Sequence, residues 1–342
     1  MGSAMSMPLA AAGHAIDLVG THLDQDIIRS IQGNGHHPRL NIALPDVVRA
    51  RQWTELANIH PSEADLIILG VASAGVEWAI DRLCETLTKP VPVLMITKGL
   101  KAEGKGIAVF PAIVTRQLRA RLGFNVPVMA VGGPCIAGEL AALRDTMVVI
   151  TGDDDALLER TLKILDAPFY HARVSHDIVG VEVCAAFKNF FALGVGWATG
   201  HLEATQPATN DSKMYNLAAG LFSQSVQELR ILTEGLGGQV SSADGLAGVG
   251  DLYVTCLAGR NSRMGRLLGL GHCYSKAKAE HMPNDTVEGA ELAKAVGPQL
   301  EAMWADGRLQ GESMPLARAI VAAVCRDEPM KIAWHEFMRV RA

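Results

Sequence analysis

No Cys-x-x-Cys pair occurs among the six cysteines, Cys84, Cys135, Cys184, Cys256, Cys273 and Cys325. That spacing excludes the usual zinc and dithiol motifs and suits thiols kept reduced in a cytoplasm. The eleven histidines form no His-x-x-x-His pair, and His36–His37 falls in a predicted polar loop, so no metal site is expected. Basic residues are not in excess: the formal net charge of −5 argues against a nucleic-acid partner, which a phosphate backbone would select for a basic face. No apolar run is expected to span a membrane, and Met1–Gly13 has no basic leader, so neither a span nor a secretion signal is predicted. Internal repeats and low-complexity tracts are also missing.

What is present is a globular composition, 49% hydrophobic and 20% charged, in 342 residues, long enough for two cores. Up to about residue 172, short β-type runs (Ala15–Val19, Asp65–Gly70, Val93–Thr97, Val126–Val131, Met147–Thr151) alternate with amphipathic ones. The latter are Gln25–Gln32, Gly75–Leu87, Ile107–Leu122, Cys135–Leu143 and Asp154–Leu165. This alternation predicts βαβ units and a parallel sheet. Beyond Val174 strand signals stop, and Ile178–Thr199, Asn216–Leu236, Arg263–Leu270, Val287–Trp304 and Met314–Arg326 read as helices. The expected fold is α/β: a parallel-sheet domain with helices on both faces, then an all-α second half, with the boundary near 173–177. Gln206–Lys213 is predicted as a surface loop.

The amino terminus breaks the pattern. A sheet of this type, where it binds a dinucleotide, opens on a strand, then Gly-x-Gly-x-x-Gly, then a helix whose start holds a pyrophosphate. Here Met1-Gly2-Ser3-Ala4 runs straight into a helical pattern, and the strand Ala15–Val19 stands where a second strand belongs. Gly2 is either an ordinary residue after the initiator or the last glycine of a fingerprint whose first strand is missing.

Two stretches carry chemistry. Glu182–Asn189 places Lys188 inside an apolar helical run. Such a lysine can be an acid/base group whose proton moves near neutral pH, or one that snorkels to the surface. Gly245–Asn261, predicted as a glycine-rich bend, gathers Asp251, Thr255, Arg260 and Asn261. Asp251 reads as a partner that orients Lys188 and sets its protonation, or as a turn aspartate after Gly250. Arg260 and Asn261, with Thr255 assisting, read as a phosphate grip, because a guanidinium fork matches phosphate oxygens; the rival is a solvated basic helix start through Arg263 and Arg266. Lys98 ends a strand at the edge where parallel sheets present ligands. Gly99–Gly106 nearly spells a phosphate-binding P-loop, but Gly106 replaces the magnesium-ligating hydroxyl, so no ATP site is expected.

Four motifs together carry a likeness: Thr97-Lys98-Gly99-Leu100; Gly133-Pro134-Cys135 with Ala137 and Glu139; Gly180-Val181-Glu182 through Lys188-Asn189; and Gly250-Asp251-Leu252 through Arg260-Asn261. In their order and spacing the chain resembles the NAD(P)-dependent glycerol-3-phosphate dehydrogenases over essentially its whole length. The resemblance implies a Rossmann-type NAD(P)-binding domain over 1–174, an all-α substrate domain over 175–342, and interconversion of glycerol 3-phosphate and dihydroxyacetone phosphate, with Lys188 as acid/base beside Asp251. It implies substrate contacts at Lys98, Gly133, Cys135, Thr255, Arg260 and Asn261. It implies cofactor contacts at Gly2, Thr21, Lys98, Ala137, Arg260 and Glu288, and it favours Gly2 as the end of a fingerprint with its first strand missing. A cytoplasmic homodimer joined through its helical half is expected.

Departures temper the substrate assignment. Cys135 stands where relatives often carry Thr or Asn, Gly259 where serine is common, and Trp197–Glu203 replaces a glycine-rich Asp-Gly-Leu segment. Val19-Gly20-Thr21-His22 offers neither a carboxylate for a ribose 2′-hydroxyl nor an arginine for a 2′-phosphate, so NAD and NADP both stay open. The alternatives are a same-fold dehydrogenase of another phosphorylated polyol or hydroxy acid, and an inactive ligand-binding protein with an incomplete glycine fingerprint.

Overall fold

The computed structural model describes residues 1–206, 215–257 and 259–337. Apart from Gln206, the predicted loop Gln206–Lys213 lies outside them. The chain forms two compact units, Met1–Lys98 with Phe110–Ile178, and Gly99–Val109 with Val179–Ala342.

The first unit runs α1 (Ser6–Ala11), β1 (Ile16–Val19), α2 (Gln25–Asn34), β2 (His36–His37), β3 (Ile42–Ala43), β4 (Val48–Arg51), β5 (Ile67–Leu69), α3 (Val76–Thr86) and β6 (Val93–Met95). A hairpin of the second unit, β7 (Leu100–Glu103) and β8 (Gly106–Val109), interrupts it before α4 (Phe110–Leu122), β9 (Val128–Gly132), α5 (Ala137–Ala141), β10 (Thr146–Thr151), α6 (Asp155–Ile164) and β11 (Tyr170–Ser175). Helix α3 buries Val76, Ala79, Ile80 and Leu83, the i, i+3, i+4, i+7 stripe of a helix lying on a sheet. Strands β6 and β9 are buried on both faces, as parallel strands covered by helices must be. The core collects Met5, Leu94, Met129, Val131, Leu140, Val148 and Ile150.

Hydrogen bonding divides the strands into separate ladders. Five strands form a sheet in the order β11-β10-β9-β6-β5, while β1 pairs in parallel with β4, Val19 opposite Arg51. No ladder joins β1 to β5 among the described residues. Strands β5, β6 and β9 are mutually parallel, but β10 runs antiparallel to β9 and parallel to β11. The expectation of a wholly parallel sheet is corrected there. The cause is α5: five helical residues rise only about 7–8 Å, too little to return the chain along a strand of this length.

Two more predictions are corrected: Ile107–Val109 is strand, not helix, and His36–His37 is strand β2, not loop. The P-loop-like stretch, from which no ATP site is expected, forms the hairpin β7–β8. Strands β4 and β11 escaped notice because Arg49, Arg51, His171 and Arg173 break their apolar character, as suits strands at sheet edges.

In the second unit follow α7 (Ile178–Thr205), α8 (Tyr215–Gly235), α9 (Val240–Asp244), α10 (Asp251–Leu257), α11 (Arg260–Gly269), α12 (Tyr274–His281), α13 (Glu288–Ala305), α14 (Pro315–Cys325) and α15 (Trp334–Phe337). The predicted glycine-rich bend is instead helical on either side of Gly259: a π-helical turn Leu246–Gly250 leads into α10, and Gly259, at φ +122°, caps α11. Contrary to expectation, helix α7 is long and apolar enough to cross a membrane by length and composition. Its most apolar stretch is 78% buried within the protein, the property of a core helix.

Candidate active site

Helix α7 is apolar nearly all round: Val183, Cys184, Phe187, Phe190 and Phe191 are buried, and the three phenylalanines pack with centroids 5.3–6.3 Å apart. Lys188 emerges from this surface with 12% of its side chain exposed. Its ammonium is ion-paired with Asp251, whose side chain is 1% exposed. Asp251 opens α10 directly after the π-helical turn Leu246–Gly250. The π turn before it depends on Gly248, where a Cβ would stand 2.0 Å from the Ala243 carbonyl oxygen. The pair therefore unites two residues 63 positions apart in sequence, both predicted, in a place largely closed to water.

Around it the helical unit assembles the second predicted group. Arg260 opens α11 and donates to Glu288, the first residue of α13, at 3.2 Å; both are about half exposed. Asn261 is buried, and both ends of its amide are engaged: Nδ2 donates to Asn189 Oδ1 at 2.9 Å, and Oδ1 accepts the Gly289 N–H at 2.9 Å. The Thr255 hydroxyl donates back to the Asp251 carbonyl at 2.6 Å, a local helix bond. Burial pushes the neighbouring Cys256 thiol up to about 12, so it is no thiolate nucleophile. Arg263 and Arg266 face solvent in ion pairs with Asp285 and Glu203, the wet face read for them.

The first unit carries the other predicted positions. Lys98 follows β6 and its Nζ reaches the Gly133 carbonyl at 3.4 Å; Gly133 follows β9 at φ +117°. Cys135 lies 3.9 Å from the Met1 sulfur, and Ala137 opens α5. Thr21 is turned inward on its own loop, its N–H and hydroxyl donating to Asp24 at 3.1 and 2.6 Å. Gly2 lies against Gly70, at the end of β5, closely enough that a Cβ on Gly70 would meet the Gly2 Cα at 2.9 Å.

Two residues escaped the sequence reading. Asn189 stood beside Lys188 in a quoted motif, but its partner Asn261 is 72 residues away, and no local signal joins them. Arg51 lies across the ladder from Val19 at the end of β1, beside a turn whose own sequence offers no arginine; its guanidinium is held by Asp17 at 3.1 Å and Glu55 at 3.9 Å.

A Rossmann-type unit followed by a helical unit with a buried lysine–aspartate pair defines the class: a two-domain, dinucleotide-dependent dehydrogenase. The sequence profile of the NAD-dependent glycerol-3-phosphate dehydrogenase N-terminus matches residues 1–158, and that of the C-terminus matches residues 177–335. The chain is 31% identical over 299 residues to the NADP(+)-dependent glycerol-3-phosphate dehydrogenase of Archaeoglobus fulgidus, covering 86% of this chain and 85% of that one. It is 30% identical over 290 residues to a glycerol-3-phosphate dehydrogenase (NAD(P)+) of Xylella fastidiosa, covering 84% and 75%. The crystal structure of glycerol-3-phosphate dehydrogenase from Coxiella burnetii shares the fold, with a TM-score of 0.77 at 24% identity over 99% of this chain and 97% of that one. The chain belongs to the NAD-dependent glycerol-3-phosphate dehydrogenase family.

Proposed function

We propose that this protein interconverts sn-glycerol 3-phosphate and dihydroxyacetone phosphate with NAD or NADP, Lys188 serving as acid/base and Arg260 as the phosphate grip. Family membership supports the reaction, and the buried Lys188–Asp251 pair is the observation that carries the mechanism. In oxidation the neutral Lys188 amine takes the proton of the C2 hydroxyl. In reduction its ammonium donates to the ketone oxygen and stabilises the forming alkoxide. Asp251 holds the amine in place and balances its charge. Arg260 offers a guanidinium at a helix start, where donors and dipole both favour an anion; its bond to Glu288 is exposed, and a dianionic phosphate can compete for it.

A dinucleotide fits the first unit: at the end of β5 Gly70 leaves no room for a side chain against the Gly2 backbone, its Cβ meeting the Gly2 Cα at 2.9 Å, so bare backbone lines the strand end where a pyrophosphate would approach. A bound nicotinamide would supply the acceptor or donor of the C2 hydride. Gly2, Thr21, Lys98, Ala137, Arg260 and Glu288 are the residues we assign to holding it, and Lys98, Gly133, Cys135, Thr255, Arg260 and Asn261 to the substrate. A domain division near 173–177, a cytoplasmic homodimer, and a role in supplying the phospholipid backbone complete the proposal.

Substrate profiling with both nicotinamides tests it. Oxidation of glycerol 3-phosphate is expected; no such oxidation alongside turnover of another sugar-alcohol phosphate would assign the fold a different substrate.

A further inference from the structure

We infer that Asn189 and Asn261 are a positioning pair that fixes the spacing between the Lys188 amine and the Arg260 guanidinium. This rests on the roles proposed above for those two cations, and it gives Asn261 a task other than direct contact with phosphate.

The orientation of Asn261 is dictated by its surroundings. The Gly289 N–H can only donate, so the oxygen of the Asn261 amide must face it, and the amide nitrogen must then face Asn189 Oδ1. Each terminus of the bridge stands one residue from a group of the proposed chemistry: Asn189 follows Lys188, Asn261 follows Arg260, and Gly289 follows Glu288, which holds Arg260. Three helices, α7, α11 and α13, are thereby pinned at the level of the two cations.

Backbone contact makes the pin rigid. Cβ atoms at Gly196 and Gly200 of α7 would stand 2.4 and 1.9 Å from the carbonyl oxygens of Ser262 and Arg266. At Gly265 and Gly269 of α11 they would stand 2.1 Å from those of Leu193 and Trp197, and at Gly289 2.1 Å from that of Asn189. Contacts advance by four residues on both helices, so α7 and α11 run side by side in the same direction. A slip of one residue would drive a Cβ into a carbonyl. The asparagine bridge is the rung of this ladder beside the cations, and a substrate with a carbinol at one end and a phosphate at the other reads the distance it sets.

The test compares Asn189→Ala and Asn189→Asp with wild type. Asn189→Ala is expected to lower kcat/KM for glycerol 3-phosphate by about 10- to 100-fold, the effect of a misplacement near 1 Å. Inorganic phosphate, which spans no distance, should still inhibit with its wild-type constant. Asn189→Asp keeps an acceptor for the Asn261 amide and should restore most of the loss. In substrate-free protein, NMR should show slow exchange of the Asn261 side-chain amide protons in wild type and Asn189→Asp, and fast exchange in Asn189→Ala. Unchanged kinetics in Asn189→Ala, a phosphate inhibition constant that rises with KM, or no rescue by aspartate would each overturn the inference. A wild type that fails to oxidise glycerol 3-phosphate would instead refute the functional reading beneath it.

Discussion

At the residue scale the account turns on a charge pair in a dry place. Removing one partner of such a pair strands the other, so Asp251→Ala is expected to cost about 3–5 kcal/mol in urea denaturation. A double change to apolar residues, Lys188→Met with Asp251→Leu, should recover most of that stability while remaining inactive, because the pair is retained for chemistry rather than for folding. Arg260→Ala should raise KM for glycerol 3-phosphate by roughly 10- to 100-fold, the worth of a charged hydrogen bond, with a smaller change in kcat. An unchanged KM would place the phosphate elsewhere. Lys188, Asp251 and Arg260 were legible in the sequence because each sits in a short motif of unusual local chemistry. Asn189 and Arg51 were not, since each owes its place to a partner supplied by a distant segment.

Elements are joined by devices that the local pattern hides. Glu228 of α8 is fully buried and accepts the N–H groups of Leu316 and Ala317, in the first turn of α14, at 2.8 and 2.7 Å, with Gln224 donating at 2.8 Å. Burial is the largest influence and pushes its carboxyl up to about 8, against the lowering by these donors. The folded protein therefore holds a proton that the unfolded chain releases near pH 4.5. This contribution to stability is complete below that pH, declines as pH rises to about 8, and is flat beyond. Glu228→Gln should remove that slope and, by leaving one backbone donor unpaired, cost about 1–3 kcal/mol, as read from denaturation across the pH range.

Two glycines offer a paired test of helix contact. Gly200→Ala should destabilise by about 2–3 kcal/mol, because its Cβ meets a backbone oxygen. Gly220→Ala, on an exposed stretch of α8 with nothing within 4 Å, should stabilise by about 0.4–1 kcal/mol. Long helices and buried strands were legible from their periodicity. The reversed β10 was not, because strand direction depends on how far a connection can carry the chain.

At the scale of the whole molecule, composition and the change from alternating to purely helical pattern anticipated one α/β and one all-α unit. They could not foresee that the hairpin Gly99–Val109 would leave the first unit for the second. There Gln299 holds the hairpin's tip through the Lys105 carbonyl at 2.6 Å, aided by Arg308, a contact between segments nearly two hundred residues apart. The proposed homodimer is checked by light scattering: a mass twice that of the chain is expected, and a monomer at assay concentrations would refute it.

The measurement closest to the centre of the account is single-turnover oxidation of glycerol 3-phosphate by wild type and Lys188→Ala, with nicotinamide affinity determined in both by fluorescence. The account predicts equal cofactor affinity and a chemical step slowed by about 10²–10⁴-fold in the variant. A variant that binds cofactor normally and still reacts near the wild-type rate would show that the proton leaves by another route, and that Lys188 is a structural cation.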